Sequence, residues 1–227
     1  MTSKSFQKTG KSVFCEDIDK ELRKAAEEGN KYEVRKILAM ADVNNLGEDN
    51  VTPLYKAASR GHKNVAQLLI ESGADPNRGK YIFGENIPLN IQCEDVSYEE
   101  TPLCAAACFG RPNVVKVLLD GGADPNRGRH DGFLCYPLHL ALICGNDDLV
   151  KMLIDGGANP NLQSVDGETP LHTAARYGHT DMVQTLLDKG AEPSMAGEDR
   201  WGRTPLDYAL NGGHSDIVNI LRDRGAY

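Results

Sequence analysis

The stretch "TPLHTAARYGHTDMVQTLLDKGAEPS", residues 169–194, carries His172 and His179 on either side of a glycine. It reads either as one catalytic loop or as one copy of something repeated. The rest of the chain decides between them. "TPL" begins at Thr52, Thr101, Thr169 and Thr204, and "YPL" at Tyr136, with spacings of 49, 35, 33 and 35 residues. The segments that follow align: "TPLYKAASRGHKNVAQLLIESGADPN", "TPLCAAACFGRPNVVKVLLDGGADPN", "YPLHLALICGNDDLVKMLIDGGANPN" and the shorter "TPLDYALNGGHSDIVNILRDRGAY". A degenerate copy, "ELRKAAEEGNKYEVRKILAMADVN", comes first, its Leu22 lying 32 residues before Leu54. There are six units, and the quoted stretch is the fifth.

Each unit predicts two helices. Thr169 is placed to cap a helix N-terminus with its hydroxyl. Pro170 then sits in the first turn, where a missing N–H costs nothing. Leu171, Ala174 and Ala175 give a short helix with a small-residue face, and Gly178 ends it in a left-handed conformation. Met182, Val183, Leu186 and Leu187 form one apolar stripe on a second helix, which stops at Gly190. A polar, turn-rich segment leads to the next Thr-Pro. Neither helix can bury its apolar face alone, but stacked copies can, with more polar terminal copies. Glu21, Arg23, Lys24, Glu27 and Glu28 surround the first helix of the first unit, and Asp216, Asn219, Arg222, Asp223 and Arg224 the last helix. Both ends read as solvated caps of a complete array.

The period, the Thr-Pro-Leu tripeptides, the glycines in register and the GAD/GAN/GAE endings closely resemble the ankyrin-repeat family. The resemblance covers residues 18–227. It implies an all-α, curved solenoid of six helix–turn–helix units with projecting hairpin fingers. The fingers and first helices would line a concave face. Residues 1–15 read as a disordered tail. The units fall at about 18–48, 49–80, 98–130, 133–163, 166–198 and 201–227, with an inserted finger at 79–100.

Three departures stand out. The inserted finger, "GKYIFGENIPLNIQCEDVSYEE", is apolar through Tyr81, Ile82, Phe83, Ile87, Leu89 and Ile91. With "GEN" between two apolar stretches it reads as an extended finger or small hairpin, Pro88 placing its second strand at an edge. It either packs on its own scaffold or contacts a partner through residues such as Tyr81 and Phe83. Tyr136 replaces a capping Thr, at a cost of about 1 kcal/mol if nothing substitutes. Two finger tips are two residues longer, and they hold Phe133 and Trp201.

Composition narrows the function. The chain of 227 residues carries a net charge of −8. Lys4, Lys8 and Lys11 lie in the tail, which leaves an acidic body. That body argues against sequence-independent nucleic-acid binding. No apolar run suits a membrane span, and no secretory leader is visible. The six cysteines form no CxxC pair and read as reduced thiols of a cytoplasmic or nuclear protein. No G-x-S-x-G, Walker loop, G-x-G-x-x-G or H-E-x-x-H occurs, so no catalytic residue, cofactor or metal site is expected. His139 and His172 share one register, and His62, His179 and His214 another. The resemblance makes both sets structural, bonding backbone groups. Helix axes about 8–10 Å apart keep equivalent histidines from sharing one zinc at about 2 Å. Cys104 and Cys108 are i, i+4 on one helix without a second pair.

The resemblance points instead to the two residues before each helix-ending glycine, which tend to face the groove. These include Arg60, Cys108, Phe109, Ile143, Cys144, Arg176 and Tyr177. Phe109, Ile143 and Tyr177 fall side by side. They either pack beneath the fingers or form an exposed patch suited to a protein partner, which Phe133 and Trp201 would extend. The resemblance also offers Asn77, Asn126 and Asn161 as candidates for hydroxylation; otherwise they stabilise the hairpins. The expected function is a monomeric, non-catalytic interaction module or scaffold. A stoichiometric inhibitor and a substrate-recruiting adaptor remain alternatives. An adaptor usually carries an appended box domain, and none follows Tyr227.

Overall fold

The computed structural model describes residues 13–82, 98–128, 136–198 and 201–227. Among them are twelve helices in six pairs. The first helices are α1 (Val13–Glu28), α3 (Pro53–Arg60), α5 (Pro102–Cys108), α7 (Pro137–Ile143), α9 (Pro170–Tyr177) and α11 (Pro205–Gly212). The second helices are α2 (Lys31–Ile37), α4 (Lys63–Glu71), α6 (Pro112–Asp120), α8 (Asp147–Asp155), α10 (Thr180–Asp188) and α12 (Ser215–Asp223). Each first helix packs on the next first helix and each second helix on the next second helix, giving two layers. No helix among the described residues is long and apolar enough to cross a membrane.

Local chemistry sets the helix ends. Thr52 and Thr101 each accept a backbone N–H at 3.1 Å, from Tyr55 and Cys104. Proline fills the first turn of α3, α5, α7, α9 and α11. Gly178 caps α9 at φ 75°, and a Cβ there would lie 2.7 Å from His214. Both the turn and the neighbouring repeat therefore require glycine.

The core runs between the layers. Leu22, Leu54, Leu103, Leu138 and Leu171 repeat along the first helices, and Leu69, Leu118, Leu153, Leu186 and Leu221 along the second, each at most 1% exposed. Burying each such side chain stabilises by about 1.5–3 kcal/mol. Ala57, Ala106, Ala141, Ala174 and Ala209 are fully buried, which lets adjacent helices approach.

Two features of the first unit differ from expectation. Its helix already includes Val13, the first described residue, inside the stretch assigned to the tail. This unit lacks the proline that opens the other first helices, so no proline marks a start at Ile18. Arg23, read as a solvated cap residue, is 7% exposed. Its guanidinium donates to Asn45 at 2.8 Å and lies 3.7 Å from Asp49. Those partners, on the following loop, make its burial affordable.

The inserted finger is closed at its base by two antiparallel strands, β1 (Lys80–Ile82) and β2 (Tyr98–Glu100), with Lys80 opposite Glu100 and Tyr81 opposite Glu99. Residues 98–100 form the strand that pairs with β1; the alternating stretch at 87–91, read as a strand from the sequence, lies outside the described residues. Pairing falls at the base because Thr52 and Asn50 already hold it: Thr52 N–H donates to Gly79 O at 3.1 Å, and Tyr81 N–H to Asn50 O at 2.8 Å. A Cβ on Gly79 would sit 1.9 Å from the Glu100 carbonyl oxygen. Gly79→Ala is expected to cost about 1–3 kcal/mol, read as a lowered urea midpoint. An unchanged midpoint would show that this strand pair contributes no stability.

Candidate protein-binding face

The first helices end on one face. Phe109, Ile143 and Tyr177 occupy successive ends there and are 54%, 46% and 49% exposed. Their neighbours differ in freedom. Cys144 is exposed and directs its thiol at the Cys108 carbonyl at 3.3 Å, while Cys108 is half-buried. Arg60 donates to Glu27 at 2.8 Å. Arg60 first, and Lys56 second, hold the Glu27 carboxyl below its usual range. Arg176 pairs with Glu168, and its guanidinium lies 4.3 Å from the Tyr208 ring centroid. The Tyr208 hydroxyl donates to the same carboxylate. Both arginines are thus tied to the solenoid and frame the aromatic row.

Trp201 is exposed on its finger, with the Arg203 guanidinium 5.1 Å from its ring. Tyr81 is half-buried on β1, and burial and the adjacent Glu99 raise its hydroxyl's pKa. Phe83 and Phe133 lie outside the described residues. The sequence reading missed a cavity on the same face, between the first three units, whose walls include Tyr55, Lys56, Lys80 and Arg111. Arg111 had a visible signal. It stands where His62, His179 and His214 stand in other repeats.

The side chains of Asn77, Asn126 and Asn161 bond the next repeat and leave the turn of their own hairpins to other residues. Asp75, Asp124 and Asn159 hold those turns, accepting the N–H two residues on at 2.8–2.9 Å. The three asparagines reach into the next repeat. Asn126 Oδ1 accepts from Asn159 N–H at 2.7 Å, and its Nδ2 donates to Gly157 O at 3.1 Å. Asn77 bonds Asp124 and Gly122 in the same way, and Asn161 bonds Glu192 and Gly190. Asn44 begins this ladder on Asp75 and Gly73. The amides have a structural role independent of any modification.

The histidines divide by their partners. Thr169 N–H donates to His172 Nδ1 at 3.0 Å, so Nε2 carries the proton and donates to Arg203 O at 3.0 Å. His139 keeps the equivalent bond to Glu168 O at 3.0 Å, but its buried Nδ1 has no hydrogen-bond partner among the described residues. Tyr136, which replaces threonine, makes no side-chain cap. Burial pushes the His139 pKa down to about 4. Tyr136→Thr is expected to restore the cap and stabilise by up to about 1 kcal/mol, measured by chemical denaturation at pH 7.5. A loss of stability would mean that the Tyr136 ring, 5.8 Å from the His139 ring, contributes more than the cap. His62 and His214 lie 2.9 and 3.3 Å from the carbonyls of Glu27 and Arg176 in the preceding repeat. Among the described residues no group of three or more His, Cys, Asp or Glu is placed to hold a metal ion.

Known proteins with this organisation share its repeats. The family model for ankyrin repeats (three copies) matches residues 22–129, 78–164 and 138–227. The ankyrin-repeat domain of human ASB11, a solved structure, superimposes with a TM-score of 0.68 at 28% identity, covering 91% of this chain and 84% of that one. A probable E3 ubiquitin-protein ligase of Oryza sativa subsp. japonica, XBOS33, is 37% identical over 76 residues. That alignment spans 32% of this chain and only 14% of the rice protein. The repeats, their inter-repeat ladders and these matches converge: the chain belongs to the ankyrin-repeat family, whose repeats are generally protein-interaction modules.

Proposed function

We propose that the chain is a non-catalytic module that binds a partner protein on the face carrying Phe109, Ile143 and Tyr177. The observation that carries this reading is the row itself. Three large side chains stand half-exposed on consecutive helix ends, at positions where stacking does not require them. Truncating a buried aromatic anchor at an interface commonly costs about 2 kcal/mol or more. Helices fix these anchors before any partner arrives, so little ordering entropy is lost on binding. Arg60, Arg176, Cys108 and Cys144 frame the row, and Trp201 and Tyr81 extend it toward the fingers.

The test is capture from lysate by the immobilised native chain and by Phe109→Ala/Tyr177→Ala, with both chains checked for folding by circular dichroism. Partners retained by the native chain and lost by the folded variant support the reading. The same partners on both sink it. A second reading, substrate-recruiting adaptor, is favoured by the match to a stretch of a probable E3 ubiquitin-protein ligase. Ubiquitylation of a captured partner that depends on this chain would support it, whereas simple loss of the partner's activity would support an inhibitor.

A further inference from the structure

The inserted finger and the groove face meet in one place. The cavity there has a volume of about 450 Å³ and is walled by Tyr55, Lys56, Arg60, Lys80, Phe109 and Arg111, with Glu27 at its side. Lys80 is the first residue of β1, so the insertion supplies one wall. Arg111 follows the turn after α5 and leans its side chain over Gly61, where a Cβ would meet it at 2.9 Å. Among the described residues, four cations line this space against the single carboxylate of Glu27. Asp49, 2.8 Å from Lys56, and Glu100, accepting the Tyr55 hydroxyl at 2.7 Å, bring the acids to three. The excess is positive in a chain whose net charge is −8. It is also unevenly shared. Glu27 is taken by Arg60 and Lys56, whereas Lys80 and Arg111 make no ion pair among the described residues. Two cations and the exposed Phe109 ring therefore face one cavity together.

We infer that this cavity is a carboxylate subsite. It receives an Asp or Glu side chain of a partner peptide between Lys80 and Arg111, while a neighbouring apolar side chain of that peptide lies on Phe109. The inference rests on the protein-binding reading above and names the chemistry of the segment bound. Guanidinium and carboxylate pair through parallel hydrogen bonds, and a low-dielectric wall such as the Phe109 ring strengthens them. Glu27 favours a monoanion over a phosphate dianion, because like charges within a few ångströms repel.

The experiment is panning of a phage-displayed random peptide library on the folded full chain. Selected peptides are then titrated by fluorescence anisotropy against native protein, Lys80→Gln/Arg111→Gln and Phe109→Ala/Tyr177→Ala. The neutral glutamines keep side-chain length, and each variant's melting curve is checked first. The expected result is selection of peptides with Asp or Glu beside an apolar residue. Their binding falls at least tenfold in the glutamine variant and weakens with added salt. Peptides without acidic residues that bind both chains equally, but not the alanine variant, would overturn the subsite and leave the groove reading standing. Peptides that bind all three chains equally would overturn both, and a library that yields no binder would overturn the subsite.

Discussion

A Phe109→Ala/Tyr177→Ala chain is expected to bind its protein partner about a thousandfold more weakly than the native chain. Each ring stands on the end of a helix whose opposite side is locked into the core, through Leu103 and Ala106 in α5 and through Leu171 and Ala174 in α9. The backbone that presents the rings is therefore unchanged by their removal. Two anchors at about 2 kcal/mol each give about 4 kcal/mol if they act independently. Because both rings are half-exposed in the free chain, truncation leaves no cavity, and surface changes of this kind usually stay within about 0.5 kcal/mol of native stability. Isothermal titration against a purified partner measures the first number and thermal melting the second. Lost binding with a lowered melting temperature would assign the rings to the fold instead.

The second large effect is a stability that depends on His139. Its folded pKa of about 4 lies below the ordinary histidine value of about 6.5. The unfolded chain therefore binds this proton first as the pH falls. The contribution is fully present above the unfolded value, is lost progressively from pH 6.5 downward, and amounts to about 3 kcal/mol by pH 4. His139→Gln removes the titrating group. The variant is expected to lose about 1 kcal/mol at pH 7.5, if its bond to the Glu168 carbonyl is not replaced, and to show a correspondingly flatter decline toward pH 4. Urea unfolding of both chains across that range decides it. Parallel pH profiles would show that other groups carry the acid sensitivity.

His139 also shows what the sequence makes legible and what it hides. That Tyr136 removes a cap follows from reading the repeats against one another. The consequence for a histidine three residues on needs the geometry, since only the structure shows Nδ1 buried without a hydrogen-bond partner among the described residues. The helices, their glycine stops and the leucine core follow from periodicity, because every repeat solves the same packing problem. The aromatic row was also legible, as a departure from what stacking demands. Arg23 was misread because its partners, Asn45 and Asp49, lie in a loop where no repeat pattern operates. The inter-repeat bonds of the asparagines were hidden for a related reason. Their partners are in the next finger, and a sequence pattern shows the period without showing which side of it a side chain reaches. The cavity was missed because Lys80 and Arg111 are separated by the inserted finger and meet only when β1 and β2 close its base.

Docking of partners on the face of Phe109 and Tyr177 can be tested at the two side chains themselves. The most direct test places the photo-crosslinking residue p-benzoylphenylalanine at Phe109 or Tyr177 and, as a control, at exposed Lys116 on α6, in the other helical layer. Irradiation in lysate and mass spectrometry then identify the adducts. Docking on this face predicts one shared set of adducts from positions 109 and 177 that is absent from 116. Adducts concentrated at 116, or spread equally over all three positions, would contradict it.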